Sequence, residues 1–131
     1  MKLLPTQTDE ASLLQIGREA VSLFEKRDFQ SLADRFSYAL ALGKSPAAAI
    51  EEDFQTCIAD FRASPEPRLP VRPSMVVRYF KPNNSNLFAV VECFFSASEG
   101  CPILAEFIVT SLREDTHVTL EDVSLAMEPG D

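Results

Sequence analysis

The apolar residues of this chain change their spacing at a proline-rich segment, and this change constrains the fold more than any other feature. Through residues 9–61 they recur every three or four positions, as in helices, whereas through residues 74–127 they alternate, as in strands. Residues 62–73 hold four of the nine prolines, which suit neither element. We therefore predict one α+β domain over residues 1–131, in which N-terminal helices and a proline-rich strap precede a curved antiparallel sheet of four or more strands, with the helices on one face.

Composition and charge exclude several classes of partner. The chain is 46% apolar and 24% charged, as in ordinary globular domains, and its net charge of −8 disfavours nucleic acid and anionic membranes. No apolar run is long enough for a membrane span, and the short apolar start, residues 1–5, is followed by polar residues rather than a secretion signal. The three cysteines, an odd number, favour free thiols in a reducing compartment. We predict a cytoplasmic protein that binds neither nucleic acid nor membrane.

The helical half contains two good start signals. Asp28 can cap a second helix, and Ser45 followed by Pro46 can begin a third. Whether the segments before and after Asp28 are two helices or one bent helix is open at this point. In the third helix the acidic residues 51–53 fall on the side opposite the apolar stripe, which assigns them to solvent.

Four strands are predicted in the second half, at about residues 74–81, 87–97, 102–112 and 117–127, and their two faces differ. Odd-numbered side chains are almost all apolar, so this face should pack on the helices. The even-numbered face mixes charged residues with too many apolar ones for water, namely Val76, Phe80, Phe88, Val90, Phe94, Leu104, Ile108, Leu112, Val118 and Leu120. Either a helix or the C-terminal tail covers it, or a second copy does.

Of these two explanations we favour the homodimer, because apolar exposed sheet faces are typical association surfaces. The residues predicted to form the dimer face are Arg78, Phe88, Val90, Glu92, Phe94, Glu106 and Ile108.

Strand register brings two carboxylates together on this face. Keeping odd residues opposite odd residues requires even pairing sums, for which 168, 198 and 230 suit the three turns. A sum of 198 sets Glu92 directly opposite Glu106. The pair could share a proton, as general acid–base pairs do, or form an ion-pair cluster with Arg78, which is the interpretation we favour.

Motifs for catalysis or cofactor binding are missing from the sequence. There is a single histidine, His117, next to a predicted turn, and no Cys-x-x-Cys pair, Gly-rich phosphate loop or Gly-x-Ser-x-Gly elbow occurs. We therefore predict no catalytic residue, no metal site and no cofactor.

Two stretches resemble the nuclear transport factor 2-like (cystatin-like α+β cone) superfamily. Residues 20–40 contain Phe24-Glu25-Lys26-Arg27-Asp28-Phe29, which resembles that family's opening of helix, short break with Asp, and helix; residues 105–125 resemble its closing hairpin. The resemblance implies a cone between helices and sheet that encloses a small apolar ligand. The residues facing that cavity would be Tyr38, Tyr79, Cys93 and Phe107.

The superfamily contains both enzymes and binding modules, so several functions follow from the resemblance. Our leading hypothesis is a non-catalytic module that dimerises or binds a small ligand. The alternatives are an isomerase, dehydratase or cyclase using Tyr38 or Tyr79 as proton donor, and an acidic chaperone resembling those of type III secretion. The chaperones interleave helices with strands, whereas here the two are segregated.

Overall fold

The computed structural model describes residues 1–64 and 72–126 and shows an α+β fold, as predicted. Three helices precede four of the five strands of one antiparallel sheet. The helices are α1 (Glu10–Glu25), α2 (Phe29–Phe36) and α3 (Pro46–Ala63), and the strands are β1 (Lys2–Leu3), β2 (Ser74–Tyr79), β3 (Leu87–Ser96), β4 (Pro102–Leu112) and β5 (Asp115–Leu125). Most of the proline-rich strap and the end of the C-terminal tail lie outside the described residues.

The helix starts follow local capping chemistry. Asp28 begins α2 by accepting a hydrogen bond from the Ser31 backbone N–H at 3.1 Å, and Arg27 before it has a positive φ of 57°. The two segments around Asp28 are therefore separate helices. Ser45 precedes Pro46 at the first position of α3, as predicted.

The sheet has the strand order β1-β5-β4-β3-β2. Two of the three predicted registers are confirmed, since Val77 lies opposite Val91 and Glu92 lies opposite Glu106. The sequence did not indicate β1, which pairs with the outer side of β5. Tyr38, in the segment between α2 and α3, also pairs with the outer side of β5, through a parallel bridge to Leu120. The outer edge of β5 is therefore lined by the chain itself, and β2 forms the opposite edge.

The predicted register of β5 is wrong. The β4–β5 hairpin turns at residues 113–114, where Leu112 lies opposite Asp115. Further along the paired strands, a bulge interrupts the register between Glu106 and Phe107. Val118 and Leu120, which we had assigned to the even-numbered face, are consequently buried on the helix side at 0% exposure. Because the bulge adds one residue, Val123 returns to that same side beyond it.

The core lies between the helices and the sheet face formed by the odd-numbered residues of β2 to β4 together with Val118, Leu120 and Val123 of β5. Helix α1 approaches the sheet so closely at Gly17 that an added Cβ would lie 2.7 Å from Met75 Sδ and 3.1 Å from Cys93 Sγ. Further along, the Phe36 and Phe107 rings meet edge to face with centroids 5.0 Å apart. The interior at these positions is packed with side chains.

Candidate functional site

The candidate site is the sheet face that points away from the helices, called here the open face. Its apolar members are half-buried or exposed, with Val76 at 43% exposure. The helices pack on the other side, and within residues 1–64 and 72–126 no helix covers this face. Its residues are Val76, Arg78, Val90, Glu92, Phe94, Leu104, Glu106, Ile108 and Asp122.

A row of carboxylates crosses the middle of the open face. Glu92 on β3, Glu106 on β4 and Asp122 on β5 lie opposite one another in consecutive strand pairs. Arg78 on β2 donates to Glu92 and forms an ion pair with it. Among the described residues Glu106 and Asp122 have no ion-pair partner. The row is therefore only partly neutralised.

The position of Glu106 raises its pKa above the usual value. The main cause is partial burial, which disfavours the charged carboxylate, and the negative charges of Glu92 and Asp122 add to it. Arg78 acts in the opposite direction and is outweighed. The arrangement fits a carboxylate cluster on an apolar surface.

Phe88 departs from the other residues predicted for the dimer face. It occupies a bulge in β3, since Leu87 lies opposite Thr110 and Ala89 opposite Val109. Its ring packs against the core and meets Tyr79 edge to face at 5.6 Å. The other six predicted residues, Arg78, Val90, Glu92, Phe94, Glu106 and Ile108, lie together on the open face.

Two of the four residues predicted to face a ligand cavity are enclosed by the core. Cys93 is 0% exposed and Phe107 is 1% exposed. Burial raises the pKa of the Cys93 thiol to about 12, so it is protonated and unreactive at neutral pH. Both side chains serve packing.

Tyr38 is buried but is not beside the other cavity residues. It lies between α2 and α3, and its hydroxyl donates to Asp53 Oδ2 at 2.5 Å. Burial first, and then this hydrogen bond and the Asp53 charge, raise the pKa of Tyr38. Helical spacing assigns Asp53 to solvent, so this contact is not predicted from the sequence. A Tyr–carboxylate pair can transfer protons, but the 5% exposure of Tyr38 leaves little access for a substrate.

Tyr79 lies at the free edge of the sheet and is 45% exposed. Its hydroxyl donates to the Thr8 carbonyl at 2.9 Å, which ties β2 to the residues just before α1. Tyr38 and Tyr79 thus lie at opposite edges of the sheet and do not share a cavity.

A pocket of about 150 Å³ lies where the α1–α2 turn meets the β3–β4 connection. The Arg27 guanidinium lies 4.6 Å from the Phe54 ring centroid and donates to Ser98 Oγ at 2.5 Å, so these polar groups of the lining bond each other. Pockets for small ligands usually reach ~300–1,000 Å³. The lining residues, none of which we had predicted, are Phe24, Glu25, Arg27, Phe54, Phe95, Ser96, Ala97 and Ser98.

Metal-binding chemistry is not assembled in the part of the chain that the structure describes. No group of three or more His, Cys, Asp or Glu side chains there could hold a metal ion. His117 is exposed on β5, and the three cysteines are buried free thiols.

Within the same residues, none of the helices combines the length and the apolar character that a membrane span requires. No protein-family model matches the chain, and it has no significant match among the curated proteins or the solved structures.

Proposed function

We propose that this protein is a non-catalytic association module that forms a homodimer through its open face. The observation that carries the proposal is an apolar sheet face without a covering element in the described chain. Val90, Phe94, Leu104 and Ile108 are only half-buried there, although they occupy the two central strands β3 and β4. Full burial of an exposed side chain of this kind contributes roughly 1.5–3 kcal/mol, and covering the part that is still exposed here contributes a fraction of that, which favours a partner surface over water.

A second copy suits this face because the face carries both charge signs. Arg78 lies on β2, and Glu106 and Asp122, which have no ion-pair partner among the described residues, lie on β4 and β5. Arg78 keeps its ion pair with Glu92 of its own chain, and a copy related by a two-fold axis can bring this guanidinium close to Glu106 and Asp122 as well, while the apolar residues meet between them. The whole chain carries a net charge of −8, so two copies repel each other where their surfaces offer no such pairing.

The free, buried cysteines and the order of elements support two further parts of the proposal. Thiols persist in a reducing compartment, so we place the protein in the cytoplasm. Helices followed by an antiparallel sheet agree with a nuclear transport factor 2-like domain, and fold alone assigns no activity.

The test is the molar mass in solution, measured by size-exclusion chromatography with light scattering at micromolar concentration. Val90→Glu sets a charge in the middle of the open face and should reduce the mass. Gln55→Glu adds the same charge on the exposed side of α3 and should leave the mass unchanged. A wild-type protein with the mass of one chain would overturn the proposal.

A further inference from the structure

The two edges of the sheet differ in how their backbone groups are satisfied. At one edge β5 is lined by β1 and by Tyr38. At the other edge lies β2, and no strand within residues 1–64 and 72–126 pairs with its outer side. An unpaired edge strand is a template for pairing with another strand.

The register identifies which backbone groups point outward from β2. Phe80 N–H donates to the Phe88 carbonyl at 2.9 Å, in the same register as the pairs of β2 with β3. Hydrogen-bonded pairs alternate with non-bonded pairs in an antiparallel ladder, so even-numbered residues of β2 turn their backbone groups toward β3. The N–H and C=O groups of Met75, Val77 and Tyr79 therefore face outward.

We propose that β2 pairs with β2 of a second copy, antiparallel and about a two-fold axis through Val77. In this register Val77 meets its own equivalent, and Met75 meets Tyr79 of the other copy. Met75, Val77 and Tyr79 are the residues whose backbone groups face outward, so each of these pairs can exchange two backbone hydrogen bonds. The two five-stranded sheets would become one sheet of ten strands. This interface is separate from the proposed contact between open faces.

Charge complementarity supports the choice of a second copy as the partner. Across the sheet, Val76 continues the carboxylate row of Glu92, Glu106 and Asp122. The proposed two-fold axis places Arg78 of each copy directly opposite Val76 of the other. Each guanidinium pairs with Glu92 of its own chain and then also lies in line with the other copy's carboxylate row, with Val76 between it and the row, where it reduces the negative charge of the row.

The pairing also has a consequence for the open face. A two-fold axis perpendicular to the sheet keeps the helices of both copies on one side and both open faces on the other. Edge pairing therefore doubles the area of the open face. Together with contact between open faces, it predicts an assembly of four chains.

Backbone and charge substitutions test the edge contact. Val77→Pro removes an outward N–H that β3 does not use, whereas Val77→Ala trims the side chain and keeps this donor, so only the proline variant should lose the edge contact. In a second test, Val76→Lys would face Arg78 of the other copy and weaken the edge contact, whereas Val76→Glu would face it favourably and preserve the edge contact. Both variants place a charge on the open face, so the difference between them reports the edge. Within one chain residue 76 lies opposite Glu92, so there a lysine is favoured over a glutamate.

Hydrogen exchange followed by NMR provides a direct readout of the edge. The amides of Met75, Val77 and Tyr79 should be protected in the wild-type protein, and those of Met75 and Tyr79 should exchange faster in Val77→Pro. Protection of these amides in a protein with the mass of one chain would overturn the proposal, since the edge would then be covered from within. Rapid exchange in an associated protein would overturn it as well.

Molar masses separate this inference from the proposed function. If both contacts exist, the wild-type protein has the mass of four chains, and Val90→Glu and Val77→Pro each leave a dimer. If only the edge contact exists, the wild-type protein is a dimer that Val77→Pro dissociates and Val90→Glu does not. If the wild-type protein is a dimer that only Val90→Glu dissociates, the edge contact is refuted and the open-face contact is not. If Val77→Pro does not fold, the Val76→Lys and Val76→Glu pair decides.

Discussion

The Tyr38 hydroxyl donates to Asp53 Oδ2 at 2.5 Å and thereby fastens the segment between α2 and α3 to α3 itself. The same tyrosine forms a backbone bridge to Leu120 of β5. Tyr38 therefore holds the connecting segment against α3 through its side chain and against the sheet edge through its backbone.

Tyr38→Phe should lower the free energy of unfolding by roughly 1.5–3 kcal/mol, as expected for a hydrogen bond to a charged group. Tyr79→Phe is the matched control, because its hydroxyl bonds a neutral carbonyl at an exposed site and its loss should cost only about 0.5 kcal/mol. Urea unfolding at pH 7 measures both. Equal losses in the two variants would contradict a special role for the contact between Tyr38 and Asp53.

Glu106→Gln should stabilise the protein at neutral pH. The raised pKa of Glu106 means that the native state binds its proton more tightly than the unfolded state, so stability falls as the pH rises above the unfolded value of about 4.3. Removing the charge should recover roughly 0.2–1 kcal/mol at pH 7, the range for facing cross-strand pairs, and almost nothing near pH 3.

Glu51→Gln provides the control for Glu106, because it removes one negative charge at an exposed position of α3. Urea unfolding at the two pH values compares the variants. If both gave the same gain, the effect would come from net charge and not from the carboxylate row.

Leu120→Ala tests the corrected register of β5. Because Leu120 is 0% exposed, its truncation should cost about 2–5 kcal/mol, whereas truncation of Leu112, which is 58% exposed, should cost less than about 1 kcal/mol. Thermal or urea unfolding distinguishes them. A small loss for Leu120→Ala would restore the register predicted from the sequence.

Gly17→Val tests the close approach of α1 to the sheet. Its side chain would collide with Met75 and Cys93, and we expect a loss of about 1–3 kcal/mol from overpacking, in addition to the cost of a β-branched residue in a helix. Arg18→Val carries the helix cost alone, because Arg18 is exposed. Similar unfolding midpoints for the two variants would show that the contact is easily relieved.

The sequence predicted the central sheet well because alternation is strong there. Through β3 and β4 the buried residues repeat at every second position with few exceptions, which fixed the pairing of Glu92 with Glu106. In β5 the spacing of the apolar residues indicates the bulge. Leu120 follows Val118 by two positions, and Val123 follows Leu120 by three, which is the spacing that a bulge produces.

Other features had weaker signals. Strand β1 has only two residues, too few to show a period, and is formed because β5 offers it a partner. The contact between Tyr38 and Asp53 joins a connecting segment to a helix, and helical spacing alone could not place it. The open face was predicted from its composition, and Phe88 was misplaced because the bulge in β3 reverses its direction.

The pairing of β1 with β5 also bears on how the chain folds during synthesis. Lys2 lies opposite His117, so this contact joins two parts of the chain that leave the ribosome far apart in time. Helices α1 to α3 can form early from local contacts, but the ladder that lines β5 must wait until β5 itself has emerged. Until then the first residues have no strand to pair with, and a chaperone that holds them apart from other chains would favour correct closure.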